Sequence, residues 1–214
     1  MANKINYQLM LENEIEKVKS DGKKPSLLLH ACCAPCSTYV LEYLRNIFDI
    51  TLFYYNPNIS PKEEYSKRSE ELIYLSSEID RENPVKYIIA DYEPEKFFEI
   101  AKGLEHEKEG GRRCELCYRL RLSETAKQAQ KQNFDYFTTT LSISPHKDAE
   151  KLNAIGKELS AAMGCRYLYS DFKKKNGYLR SCELSKRFGL YRQDYCGCVF
   201  SKREALEREK NIKK

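Results

Sequence analysis

The sequence predicts an α/β protein with a doubly wound, mainly parallel sheet and a cysteine-bearing C-terminal extension. Three observations predict it. Short apolar runs near residues 27–29, 50–55, 85–89 and 135–141 alternate with longer stretches of helical periodicity, the order that builds βαβ units. Turn-forming residues separate them, including Asp21-Gly22, Asn56-Pro57-Asn58, Pro61 and Pro94. The first run ends in His30-Ala31-Cys32-Cys33-Ala34-Pro35-Cys36, so a strand delivers three thiols into a turn where Pro35 can open a helix. In such a sheet the site lies beyond the carboxyl ends of the strands.

Taken in order, residues 3–20 carry Ile5, Leu9, Ile15 and Val18 at approximate helical spacing, ended by Asp21-Gly22 and Pro25. The Leu27 run is the first strand, and the helix opened by Pro35 carries Tyr39, Val40, Leu41, Tyr43 and Leu44. Residues 50–55, β-branched and aromatic, form the second strand. Pro61 opens a long helix with Tyr65, Leu72, Ile73 and Leu75 inward, residues 85–89 are the third strand, and Pro94 starts a helix through Phe97, Phe98 and Ile100. A polar, glycine-bearing loop over 103–113 leads Cys114 and Cys117 onto a helix reaching Gln132. Residues 135–141 form the fourth strand and 142–147 the loop beyond it. A helix over 148–163, a strand at 166–169, a basic loop at 171–177, a short helix at 181–187 and a charged terminal helix complete the chain. The reading is one domain over 1–214, with an N-terminal helix in 1–24, the sheet core and metal site in 25–170, and the extension in 171–214.

With 214 residues, 41% of them hydrophobic, 16 Tyr and 9 Phe, the chain can bury a sizeable core. A formal charge of +5 permits a polyanionic partner without requiring one. No apolar run approaches the roughly 20 residues that span a membrane, which points to a cytoplasmic protein with no membrane partner. In that reducing compartment nine cysteines serve metal binding or redox chemistry better than a disulfide framework.

Seven of those cysteines fall in three clusters: Cys32, Cys33 and Cys36; Cys114 and Cys117; Cys196 and Cys198. The first two stand at loop-to-helix junctions, where unpaired amide N–H groups and the positive end of the helix dipole favour thiolate. Thiolates of Cys32, Cys33, Cys114 and Cys117 would suit an iron–sulfur cluster, whose irons accept neighbouring cysteines at different corners. A single zinc ion is the alternative, although a vicinal pair bends awkwardly around one tetrahedral ion. Glycine between Cys196 and Cys198 permits close sulfur approach, suiting a dithiol–disulfide pair or a second metal. Cys165 and Cys182 stand alone and read as inert. Among the other polar residues, His30 reads as a core histidine and His106 as exposed, whereas His146 lies beyond a strand end where it can move a proton. Arg112, Arg113, Arg119 and Arg121 flank Cys117, and Lys173, Lys174, Lys175 and Arg180 line the late loop; beside a metal site such residues can hold phosphates. Tyr54, Tyr55, Tyr191 and Tyr195 are candidates to stack a nucleobase.

Together with Gly111-Arg112-Arg113-Cys114-Glu115-Leu116-Cys117 and Tyr191-Arg192-Gln193-Asp194-Tyr195-Cys196-Gly197-Cys198, the His30–Cys36 motif resembles the signatures of the QueH-type epoxyqueuosine reductases. Thr139-Thr140-Leu141-Ser142-Ile143-Ser144-Pro145-His146-Lys147 is similar to that family's pattern too, so the resemblance spans residues 26–200. It implies a nucleotide α-hydrolase-like (HUP) fold and an oxidoreductase that removes the epoxide oxygen of epoxyqueuosine at the tRNA wobble position, completing queuosine. It also implies a 4Fe-4S cluster on Cys32, Cys33, Cys114 and Cys117, and a redox-active pair, disulfide when oxidised, of Cys196 and Cys198. Cys36 falls where some members carry aspartate, an iron ligand, which makes Cys36, Cys196 and Cys198 candidates for a second, mononuclear iron. Such an iron, with an open position, would act on the epoxide oxygen as a Lewis acid, while His146 or Asp194 protonates it. Arg112, Arg113, Lys173, Lys174, Lys175, Tyr191 and Arg192 are the candidates for tRNA contact. The partners implied are tRNA carrying epoxyqueuosine and an electron donor whose identity the sequence does not specify. Two rivals differ in chemistry. A cluster-dependent tRNA thiolation enzyme needs a glycine-rich phosphate loop where this chain has residues 30–36, and a non-enzymatic metal module would bind RNA without turnover.

Overall fold

The computed structural model describes residues 5–212. Its sheet consists of β1 (Ser26–His30), β2 (Asp49–Tyr54), β3 (Lys86–Ile89), β4 (Tyr136–Thr139) and β5 (Arg166–Tyr167). All pairings are parallel and the order is β3-β2-β1-β4-β5. The helices are α1 (Tyr7–Ser20), α2 (Ala34–Leu44), α3 (Lys62–Glu78), α4 (Pro94–Ala101), α5 (Arg112–Lys131), α6 (Ala149–Met163), α7 (Gly177–Arg187) and α8 (Val199–Ile212).

The central strand shows why the Leu-rich run is continuous. Successive side chains of a strand point to opposite faces, and β1 is covered on both. Leu27 and Leu29 pack with Leu41 and Leu44 of α2 and Leu72 and Leu75 of α3. Leu28 packs on the other face with Leu122 and Ala126 of α5 and Leu152 and Ile155 of α6. This is the doubly wound α/β architecture that the element order predicts. Leu28 is in register with Thr51 of β2 and Phe137 of β4, so the strand order reverses beside β1. The resulting crevice opens past His30 and Thr139, the carboxyl ends of β1 and β4.

Three local expectations are corrected. In α1 the buried stripe is Gln8, Leu11, Ile15 and Val18, while Ile5 and Leu9 are exposed. Asn6 caps the helix by accepting the Leu9 amide at 3.1 Å, so Ile5 precedes the first turn and Leu9 falls off the stripe. Residues 3 and 4 of that expected helix lie outside the described residues. The fourth strand stops at Thr139 rather than 141, because the Thr139 hydroxyl accepts the Leu141 amide at 3.1 Å and turns the chain into a 3-10 segment, Thr140–Ile143. The late helix begins at Gly177, four residues before Ser181.

Gly156 of α6 faces β5, and a Cβ there would overlap the buried ring of Tyr167. That ring is wedged edge-on against Phe137 and Tyr169 and has little room to yield. Gly156→Ala is therefore expected to cost about 1–3 kcal/mol through overpacking, read as a lower urea midpoint at unchanged m-value.

Candidate metal centre and catalytic cavity

The chain leaves β1 at His30 and reaches α2 within three residues, which is why the first thiols sit at a strand end and a helix start together. Cys33 is the N-cap of α2, and its sulfur accepts the Cys36 amide at 3.4 Å. The three sulfurs of Cys32, Cys33 and Cys36 lie within 4.8 Å of one another, with Cys33 and Cys36 at 2.8 Å. The Thr140 hydroxyl accepts the Cys32 amide at 3.1 Å and donates to its sulfur at 3.3 Å. Hydrogen bonds from Cys33 and Cys36, reinforced by Arg121 and Thr140, hold the Cys32 thiol well below the usual range. Its neighbours Cys33 and Cys36 are pushed up by those same bonds. The hydrogen bonds among the three thiols thus favour charge on Cys32 over Cys33 and Cys36. A cation seated among them would take the remaining protons off.

Cys114 and Cys117 stand on the first turns of α5 and line a small second cavity together with Cys196 and Cys198. Burial pushes Cys117 up to about 12 and raises Cys114 and Cys198 as well. The larger cavity, about 170 Å³, is lined by Cys32, Cys33, Cys36 and Cys196. Cys196 alone of the thiols lines both, so the three clusters distant in sequence converge on one end of the sheet. Gly197, at φ +111°, makes the bend between Cys196 and Cys198. No disulfide joins any of the nine cysteines. Cys165 is buried, with its thiol on the Phe134 carbonyl at 3.2 Å, and Cys182 is half-buried; neither lines a thiol cavity.

Buried charge surrounds these sulfurs. Arg121, 1% exposed, gives Nη2 to Asn56 Oδ1 at 2.6 Å, Nε to His30 Nε2 at 3.4 Å, and lies 4.0 Å from the Cys117 sulfur. Burial and the adjacent Arg121 hold His30 down to about 3, so the imidazole is neutral, its Nδ1 2.8 Å from the Thr139 hydroxyl. His30 is the satisfied core histidine that the sequence suggests. Arg68, 2% exposed, holds Glu64 at 2.7 Å and the Cys196 carbonyl at 3.2 Å. Lys147 meets Glu109 at 2.7 Å on the cavity wall. Sequence reasoning missed Arg68 and Glu109, because a charge in a helix or polar loop reads as solvated until the chain folds over it, and read Asn56 only as part of a turn. Lys147 carried one signal, its place after His146 in the loop beyond β4.

The remaining candidates divide. His146, Arg192, Asp194 and Tyr195 line the larger cavity. Arg112 is exposed and Tyr191 is exposed under Lys67, whose ammonium lies 3.6 Å from its ring centroid. Arg113 is corrected: it is 1% exposed, with Nη1 donating to the carbonyls of Leu104, Glu105 and Glu107, and it cannot reach a phosphate. Lys173, Lys174 and Lys175 line a separate groove beside the start of α1, with Lys173 paired to Asp171 and Lys175 to Glu12. Tyr54 and Tyr55 are core residues, 0% and 2% exposed, so they stack no nucleobase.

Whether these residues suit a metal–sulfur group is tested by the polar atoms they leave unpaired. Six buried side-chain atoms lack a hydrogen-bond partner among the described residues: Asn58 Oδ1, Arg68 Nη2, Glu71 Oε2, Arg113 Nε and Nη2, and Tyr118 Oη. All but the Glu71 atom belong to residues lining one of the two thiol cavities. Four of these five are donors, and an unpaired buried donor costs about 1–3 kcal/mol. Thiols ringed by idle N–H and O–H groups fit an anionic metal–sulfur group.

Comparisons with known proteins identify the family. The family model described as "Epoxyqueuosine reductase QueH" matches residues 27–204. A protein of that name from Streptococcus pyogenes serotype M1 is 44% identical over 200 residues, covering 92% of this chain and 78% of the relative. One from Staphylococcus epidermidis is 44% identical over 202 residues, covering 92% and 85%. One from Thermotoga maritima is 36% identical over 190 residues, covering 87% and 95%. The match contains all three cysteine clusters and the loop beyond β4 that closes on them, and on that ground the chain belongs to the QueH family of epoxyqueuosine reductases.

Proposed function

We propose that this chain reduces epoxyqueuosine in tRNA to queuosine, with a 4Fe-4S cluster on Cys32, Cys33, Cys114 and Cys117, a second iron at Cys36, and a redox pair of Cys196 and Cys198. The observation that carries this reading is Cys196, which lines both cavities and so links the buried thiols to the space a substrate can enter. When bound, the cluster supplies electrons one at a time. Converting an epoxide to an alkene breaks two C–O bonds, forms a C=C bond, consumes two electrons and two protons, and releases water. Oxidation of the Cys196 and Cys198 thiols to a disulfide yields that number of both, and an external donor then restores the dithiol.

The rest of the cavity serves orientation and protonation. His146 and Asp194 stand on its wall, where either can give a proton to the departing oxygen. The unpartnered Nη2 of Arg68 and the Lys147 ammonium supply positive potential where negative charge develops. A wobble base reaches this cavity only by leaving the anticodon stack; Arg192 and Tyr195 line the cavity, and in this reading they take its sugar–phosphate and its ring. No helix among the described residues is long and apolar enough to cross a membrane, and we assign the protein to the cytoplasm, where tRNA and reduced thiols coexist.

The test is to purify the protein without oxygen, measure iron, acid-labile sulfide and zinc, and incubate it with epoxyqueuosine-bearing tRNA and a strong reductant. The expected result is about four or more irons per chain with matching sulfide, together with queuosine in the digested tRNA. Stoichiometric zinc, no sulfide and unchanged tRNA would overturn the reading in favour of a metal-binding RNA module.

A further inference from the structure

We infer that Tyr118, supported by Arg113, donates a hydrogen bond to the sulfur of the metal group held at Cys114 and Cys117, and thereby raises its reduction potential. This inference rests on the cluster assignment proposed above.

On α5, Cys114 and Tyr118 are four residues apart, as are Arg113 and Cys117, so each thiol shares a helix face with one donor a turn away. All four residues line the same small cavity. The Tyr118 ring is 2% exposed and its hydroxyl has no partner, although burial of a phenol normally secures one. Arg113 spends Nη1 on three carbonyls, keeps Nε without a hydrogen bond, and has at Nη2 only an ion pair with Glu204 Oε1 at 3.6 Å. Two different side chains thus present donors to a space that Cys114, Cys117, Cys196 and Cys198 line together with Asn58, Phe97, Glu109 and Ser201. An acceptor belongs there, and the sulfides and thiolates of a cluster are large, anionic acceptors. Reduction adds negative charge to that group, so each donor favours the reduced form and moves the potential upward.

Tyr118→Phe is the clean test, since it removes one oxygen and leaves the ring. Arg113 is unsuitable for substitution because its Nη1 bonds hold the loop before α5. Two measurements on anaerobic protein decide the case. In metal-free protein the hydroxyl is unsatisfied, so its removal is expected to raise Tm by about 2–4 °C. In the loaded protein the variant is expected to keep its full iron and sulfide while the reduction potential falls by a tenfold change in the redox equilibrium, about 59 mV for a one-electron couple. An unmoved potential at full loading, with the same Tm gain in both forms, would overturn the inference and leave Tyr118 as a merely unsatisfied phenol. Absence of iron and sulfide in the parent protein would instead overturn the cluster assignment, and this inference with it.

Discussion

A Cys196→Ser protein is expected to make no more than one queuosine per chain while retaining the iron, sulfide and visible absorption of its parent. The serine hydroxyl matches the thiol in size but cannot form a disulfide, so the two electrons that a Cys196/Cys198 pair releases are no longer available. The structure supports a large effect because Cys196 is the thiol that lines both cavities. Nothing else among the described residues bridges the two spaces with redox-active sulfur. The measurement is moles of queuosine per mole of protein over time with reductant in excess. Undiminished turnover would remove the pair from the mechanism. Loss of about one iron per chain would assign Cys196 to the second metal site instead.

The second large effect is expected at Arg121. Replacement by Met keeps the length and removes a guanidinium that sits 1% exposed between the two thiol cavities. Asn56 Oδ1 then loses a 2.6 Å bond, and its amide is the group that ties down the Ala31 carbonyl just before Cys32. Leaving that buried acceptor unpaired costs about 1–3 kcal/mol, a sizeable part of the roughly 5–15 kcal/mol that a folded domain possesses. Urea unfolding of the reduced, metal-free protein is expected to show that loss as an earlier midpoint. Arg121→Lys keeps the charge but not the planar fork that reaches His30 and Asn56 together, and is expected to fall between parent and Met variant. A Met variant within about 0.5 kcal/mol of the parent would mean that the network is spectator structure.

How much of this was legible beforehand differs by element. The strands and helices of the core were legible because their signals are local: Leu27, Leu28 and Leu29 are apolar without alternation, and Pro35, Pro61 and Pro94 mark helix starts. The ends were less so, since Thr139 stopped β4 with a side-chain hydrogen bond that no periodicity encodes. Within the site, the seven clustered cysteines were legible from spacing, and His146, Arg192 and Asp194 from their place in loops. Arg68 and Arg121 illustrate the converse. A charged residue on an amphipathic helix is ordinarily solvated, and only packing turns it into a buried charge. Arg113 shows the same effect in the other direction, because its position beside a cysteine motif suggested substrate contact while packing carried it inward.

By itself, the sequence determined the fold class, the order of strands and helices, the identity of the thiols and the family to which the chain belongs. These follow from local periodicity, turn chemistry and motif spacing, each carried by neighbouring residues. Only the tertiary structure decided that β4 lies beside β1, which brings Thr140 onto Cys32, and that the loop before α8 returns Cys196 to a position shared by both cavities. It alone decided which charges are buried and which donors are left without partners. Those are properties of contacts between residues about a hundred positions apart, and no local pattern records them.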